Sequence, residues 1–279
     1  MCRLLGYVST QENKSLIDVI GQTQVSAFRE MSRIHNDGWG ISQLGFEDKA
    51  TLADSQASRS GSKLYKSTLA AYRDSNFDSF AHQAARGSLW HLRLASSQLP
   101  LIMENQQPFY SHGISFIHNG DISNHEGVNI IRQNNVWYDE KIFSSINGYT
   151  DSALYFSYIL EYYGFGYSLD EAVIQAIRQL RNYCPLSSYN CVLQNDDTLI
   201  VVNAAGRVET PERIIEIYNE HGFGEHAHDY RLMRYKSDEE QGTFVVASSG
   251  FDQHDWHTMQ NNEIVVVNSH TGEFSTRVF

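Results

Sequence analysis

A cysteine directly behind the initiator methionine constrains this chain more than any other feature. The sequence opens Met1-Cys2-Arg3-Leu4-Leu5-Gly6-Tyr7-Val8-Ser9. A side chain as small as that of Cys2 permits removal of Met1, and the new terminus then holds a thiol and a free α-amine on one residue. A thiol with a pKa near ~8.5 is only a few per cent ionised at neutral pH, and an α-amine near ~8 lies close enough to take its proton. A reactive terminus must be held still, so the apolar run at positions 4–8 is expected to be a buried strand with Cys2 at its start. The competing expectation is a loose, chemically idle chain end. The rest of the sequence decides between them.

Residues 16–34 carry apolar side chains at helical spacing (Ile20, Val25, Phe28, Met31, Ile34), with Gly21 placed to split the helix. His35-Asn36-Asp37-Gly38-Trp39-Gly40 follows, its glycines suited to close backbone approach beside a strand. A polar hairpin is expected over residues 48–62 and broken helices over 64–85. Residues 88–95 and 114–121 alternate in period two and read as strands, ending near Arg93 and at Asn119-Gly120. Thr150-Asp151-Ser152 resembles a helix start, opening a helix over 153–163. A second helix is expected over 168–182, with Ser168-Leu169-Asp170-Glu171 as a capping box. Strands are expected over 189–194, 199–204, 230–235, 243–248, 264–268 and 273–278. No repeat or Pro-rich linker marks a boundary, so a single domain over residues 2–279 is expected. Many strands and two helical blocks suit a layered α+β fold, with sheets stacked between helices.

A formal charge of −12 over 279 residues argues against nucleic acid or an anionic membrane as partner, because phosphates attract the opposite sign. No apolar run approaches the ~18 residues needed to span a bilayer, and the run after Arg3 is too short for a signal peptide. Cys2, Cys184 and Cys191 are a sparse, odd set, as expected in a reducing cytoplasm; Cys184 and Cys191 read as small apolar fillers. His226-Ala227-His228 has ligand-like spacing, but no carboxylate or cysteine cluster completes it, so neither metal nor cofactor is expected.

Three polar groups fall at the ends of expected elements: Arg93, Asn119-Gly120 and Asp151. Singly each has a structural explanation, as an ion pair, a turn and a helix cap. With Cys2 they supply the parts needed to cleave a side-chain amide of an amino acid. An arginine grips an α-carboxylate through two parallel bonds, and an aspartate holds the α-ammonium. An Asn carboxamide and a neighbouring Gly N–H stabilise the oxyanion formed when the thiolate attacks.

These elements, Met1-Cys2-Arg3, Asp37-Gly38-Trp39-Gly40, His91-Leu92-Arg93, His118-Asn119-Gly120 and Thr150-Asp151-Ser152, occur in one order over the first 160 residues. In them the sequence resembles the class II glutamine amidotransferases. These are N-terminal-nucleophile hydrolases, and the resemblance is strongest to the stand-alone branch that includes the γ-glutamyl amidases of ergothioneine synthesis. The resemblance implies a four-layer αββα sandwich. It implies Cys2 as nucleophile and its amine as base, Asn119 and Gly120 as the oxyanion hole, and Arg93 and Asp151 as clamps on glutamine or another small γ-glutamyl compound. Where better-known synthases carry Thr-His after the His-x-Arg element, this chain has Ser96-Ser97, so Ser96 is the substrate-contacting candidate there. No synthase segment is recognisable, so released ammonia would be lost or taken by a separate ammonia-accepting synthase. Asp37 to Gly40 are expected to wall the pocket, with Trp39 in the core. His35, His91 and His118 are expected to pack or hydrogen-bond behind it. Two further readings stay open: an N-terminal-Cys amidase of the bile-salt or penicillin kind, and a non-catalytic subunit on the same scaffold.

Overall fold

The computed structural model describes residues 2–45, 63–95, 99–207 and 209–279. The hairpin expected over 48–62 and the candidate Ser96 lie outside the described residues. In chain order the strands are β1 (Arg3–Ser9), β2 (Trp39–Leu44), β3 (Lys63–Ser67), β4 (Gly87–Leu92), β5 (Phe109–Ser111), β6 (Ile114–Asn119), β7 (Asn190–Gln194), β8 (Thr198–Asn203), β9 (Met233–Asp238), β10 (Thr243–Ser248), β11 (His257–Thr258), β12 (Glu263–Asn268) and β13 (Phe274–Val278). They form two sheets, ordered β11-β9-β10-β1-β4-β2-β3 and β13-β12-β8-β7-β6-β5. Every pairing between them is antiparallel.

The first strand of the chain is thus the middle of the first sheet, paired on both sides through Leu5 to Ala247 and Trp90. Period-two alternation sorts its side chains: Leu4 and Val8 enter the layer between the sheets, whereas Leu5 and Tyr7 face the outer helices. Strand β6 divides likewise, with Ile117 between the sheets and Phe116 on the helix side. Glycine at position 6 leaves room for its neighbours, since a Cβ there would lie 2.9 Å from Leu89 Cδ2 on the paired strand β4 and 3.4 Å from Val192 Cγ1 of the opposite sheet.

Helices α1 (Leu16–Ile20), α2 (Gln22–Glu30), α3 (Asn76–Ala81), α4 (Glu140–Ile146), α5 (Asp151–Gly164), α6 (Leu169–Arg181) and α7 (Glu212–Glu220) close the two outer faces. Residues of α1, α2, α3 and α7 pack on the first sheet, and α4, α5 and α6 on the second. The result is helix, sheet, sheet, helix, the αββα sandwich expected from the sequence. No helix among the described residues is long and apolar enough to cross a membrane.

Several expected elements are corrected. Residues 64–85 begin as the edge strand β3, not a helix; Lys63 and Lys66 on that half-exposed edge blur its alternation. The strand expected from Tyr230 starts at Met233, and Tyr230 sits before it in a turn. Helices α4 and α7 are additions; α7 carries an apolar stripe through Ile214, Ile217 and Tyr218 that the sequence reading passed over. Ser168 caps α6 by position alone, because Glu171 pairs with Arg277 instead of completing a capping box. A complete capping box occurs at Ser15 and Asp18, and Gly21, at φ +82°, separates α1 from α2.

Candidate active site

Cys2 lies just ahead of β1 and is 6% exposed, so this terminus is neither loose nor free in solvent. Its N–H donates to Asn119 Oδ1 at 2.8 Å, its carbonyl accepts from Arg3 Nε at 2.8 Å, and its Sγ lies 3.8 Å from the Leu94 carbonyl oxygen. Asn119 ends β6 on the same face as Ile117, two residues earlier, so alternation aims it into the layer between the sheets and at Cys2. With Oδ1 engaged by Cys2, the Asn119 Nδ2 donor makes no hydrogen bond among the described residues. Gly120 follows. A Cβ there would run into the Ser188 carbonyl and the His118 ring, so only glycine fits.

His118 points to the opposite face of β6 and braces this corner. Its Nε2–H donates to the Ser188 carbonyl at 2.9 Å, which leaves Nδ1 to accept from the Ser152 hydroxyl at 2.9 Å. Burial pushes its pKa down to about 4, so the ring is neutral at physiological pH. His91 is likewise fully buried and held well below the usual histidine range, by burial first and then by Arg93. His35 hydrogen-bonds the Tyr218 hydroxyl at 3.1 Å. Of the three, His118 is the one whose hydrogen bonds, to Ser152 and Ser188, brace the Asn119-Gly120 corner; His91 is packed in the interior.

Arg93 lies one residue beyond β4. Its backbone N–H donates to the Gly38 carbonyl at 2.9 Å and its carbonyl accepts from the Asp37 N–H at 3.0 Å. Asp37 in turn accepts the Ala95 N–H through Oδ2 at 2.8 Å. The Asp37-Gly38 turn therefore walls the Arg93 segment, while Trp39 is fully buried and stacks on Trp90, as expected of a core residue. Arg93 Nη2 reaches the Pro100 carbonyl at 3.5 Å, and Nη1 is buried with no hydrogen-bond partner among the described residues. Burial disfavours the guanidinium charge, and Cys2, Asp37 and Asp151 act the other way, which places all three within its field.

Asp151 is the first residue of α5, with Thr150 as the true N-cap, accepting the Ala153 N–H at 3.1 Å. Its carboxylate accepts from the backbone N–H groups of Ile122 (2.8 Å) and Ser152 (2.9 Å) and from Asn129 Nδ2 (3.1 Å). Burial, reinforced by Asp121, nonetheless raises its pKa to about 6. The loop after Gly120 thus ties the Asn119-Gly120 corner to the Asp151 carboxylate.

The fold brings Cys2 and Asn119 into direct contact, and Cys2 and Asp151 both favour the charge of Arg93. Reasoning from sequence missed Arg3, which grips the Cys2 carbonyl, and Ser152, Ser188, Asn129 and Ile122, which hold the site residues in place. A signal existed for Arg3 alone: an arginine inside a buried strand is rare enough to need a reason.

Cys184 and Cys191 are buried free thiols in the core, the filler role expected of them. No group of three or more potential metal ligands gathers among the described residues. A hollow of about 390 Å³ lies elsewhere, lined by Asp18, Lys236, Asp238, Asp252, Asp255 and Trp256 among others, and none of the site residues borders it.

Comparison with known proteins bears on this arrangement. A family model described as "Glutamine amidotransferases class-II" matches residues 1–277. The probable glutamine amidotransferase DUG3 of Saccharomyces cerevisiae is 23% identical over 97% of this chain and 83% of its own length. A glutamine aminotransferase class-II domain protein from Silicibacter pomeroyi has a similar structure, with a TM-score of 0.63 at 17% identity over 100% of this chain and 99% of that one. The glutamine phosphoribosylpyrophosphate amidotransferase of B. subtilis gives a TM-score of 0.57 at 14% identity, over 99% of this chain and 49% of that one. At these identities the structural likenesses speak for the fold, which is that of the N-terminal-nucleophile hydrolases.

Proposed function

Because the chain belongs to the class II glutamine amidotransferases, we propose that it hydrolyses a γ-glutamyl amide through a thioester on Cys2. The observation that carries this reading is the 2.8 Å hydrogen bond from the Cys2 nitrogen to Asn119 Oδ1, two residues 117 positions apart. It orients the future α-amine and turns the carboxamide so that Nδ2 is free for the substrate.

Removal of Met1 makes that nitrogen an amine. The amine takes the thiol proton and the thiolate attacks the amide carbon. The resulting oxyanion is held by Asn119 Nδ2 and the Gly120 N–H, donors of the kind whose loss costs about 10²–10³ in rate. The protonated amine returns its proton to the departing nitrogen, and ammonia or an amine leaves. Water then adds to the thioester, the amine again acting as base, and glutamate departs. Arg93 Nη1, buried and unpartnered, takes the α-carboxylate, and Asp151 takes the α-ammonium. An apolar acyl group, as in the bile-salt or penicillin amidases, would leave the buried Arg93 Nη1 without an acceptor, so a glutamyl group fits better. The substrate is glutamine, with ammonia passed to a separate synthase, or a larger γ-glutamyl compound, as in the ergothioneine-synthesis branch. Ser96, in the departure from the family's Thr-His pair, is the residue expected to touch the part in which these differ.

The test is a glutaminase assay on wild-type and Cys2→Ala protein, together with 6-diazo-5-oxo-norleucine labelling located by mass. Activity in Cys2→Ala is expected below about 10⁻³ of wild type, and the label on the first residue of a Met-trimmed chain. A Cys2→Ala protein as active as wild type would end this reading.

A further inference from the structure

Arg3 takes no part in the chemistry above, yet its side chain is fully buried beside the nucleophile. Its Nε–H donates to the Cys2 carbonyl at 2.8 Å, Nη1 to the Ser249 hydroxyl at 2.8 Å and carbonyl at 3.2 Å, and Nη2 to the Tyr230 carbonyl at 2.9 Å. The guanidinium carbon also sits 4.9 Å from the centre of the Tyr230 ring. Every one of these partners is neutral. Among the described residues no carboxylate forms an ion pair with Arg3.

A buried charge without a counter-ion is unfavourable, and proteins ordinarily pair it. In the proposed reaction negative charge develops next to Arg3, on the sulfur of Cys2 and then on the oxyanion. The geometric link between the two residues is the Arg3 Nε–H bond to the Cys2 carbonyl, and burial of the neighbouring Tyr218 and Tyr230, whose phenol pKa values it raises, keeps water from Arg3. The fork also ties the start of the chain to its distant half, since Tyr230 and Ser249 stand 227 and 246 positions from Arg3. The neighbouring Leu4 N–H is anchored there too, on Ser248 Oγ at 3.0 Å.

We propose that Arg3 is a positioning residue for Cys2: its fork fixes the Cys2 carbonyl, and with it the direction of the amine and thiol. Its uncompensated charge stabilises the negative charge that develops on sulfur and then on the oxyanion. This rests on the Cys2 thioester reading.

Three variants test it: Arg3→Met removes charge and fork, Arg3→Lys keeps charge without the fork, and Ser249→Ala keeps Arg3 but loosens it. Arg3→Met is expected to lower kcat by about 10²-fold with KM within about twofold of wild type. It should also slow iodoacetamide alkylation of Cys2 at pH 7 by about tenfold. Arg3→Lys should restore most of the alkylation rate but not kcat, because a single ammonium cannot make the three-way contact. Ser249→Ala should lower kcat by roughly three- to tenfold with the melting temperature little changed. A folded Arg3→Met protein with wild-type kcat and alkylation rate overturns the proposal. If both Arg3 variants fail to fold, an unchanged kcat in Ser249→Ala overturns it. Failure of the thioester reading looks different: wild-type protein would turn over no γ-glutamyl amide and take no 6-diazo-5-oxo-norleucine label, whatever Arg3 does to alkylation.

Discussion

Asp151 carries two demands that pull its ionisation apart. Its function in the proposed reaction needs the anion, whereas burial and then Asp121 raise its pKa from 3.8 to about 6. The sign of the stability effect follows from linkage. The folded carboxyl binds its proton more tightly than the unfolded one, so this contribution is fully present below the unfolded pKa and is lost as pH rises through about 6. It amounts to on the order of 3 kcal/mol. Activity has the opposite dependence: kcat/KM is expected to fall through a single-proton limb near pH 6 on acidification, measured with a γ-glutamyl substrate. Asp151→Asn should remove that limb and raise KM by roughly 10²-fold. Cys2, Asn119, Gly120, Arg93 and Asp151 were singled out in the sequence by their places at the ends of expected elements and by the family resemblance, and the structure puts Cys2 against Asn119. The partners of Arg3 were not legible, because its carbonyl acceptors come from residues 230 and 249.

Helix α5 and strand β6 present their functional groups from their ends, so the precision of the site is that of two element termini. Thr150 accepts the Ala153 N–H at 3.1 Å and thereby fixes where the helix begins, and so where Asp151 points. Thr150→Ala is expected to reduce unfolding free energy by about 1 kcal/mol, read from urea denaturation. It should raise KM alongside, since Asp151 loses its fixed start. Strand β10 was readable as a short apolar run, because one of its faces meets the helices and the other the opposite sheet and both are buried. Helix α6 was readable as well, although its expected capping box is absent: Glu171 is drawn to Arg277, a partner more than a hundred positions away. Such competition cannot be seen in a four-residue motif.

Across the whole molecule the two sheets hold the two halves of the proposed reaction, Cys2 on one and Asn119 on the other. The apolar layer between them therefore sets the 2.8 Å contact on which the mechanism depends. Ile117 is buried in that layer on the same face of β6 as Asn119. Ile117→Ala is expected to lower stability by about 2–5 kcal/mol, measured by urea denaturation, because the packed sheets only partly close the cavity. The sequence by itself determined the kinds of side chain available, the alternation that gives each strand two apolar faces, and the glycine that must follow Asn119. Those are local properties, set by side-chain chemistry and backbone sterics. Only the tertiary structure decided that the first strand lies at the centre of its sheet, which strand faces Cys2, and that the arginine beside Cys2 has carbonyls and a hydroxyl for partners and, among the described residues, no carboxylate. Pairings across more than a hundred residues leave no periodic trace in the chain, because they are chosen by how two sheets fit against each other.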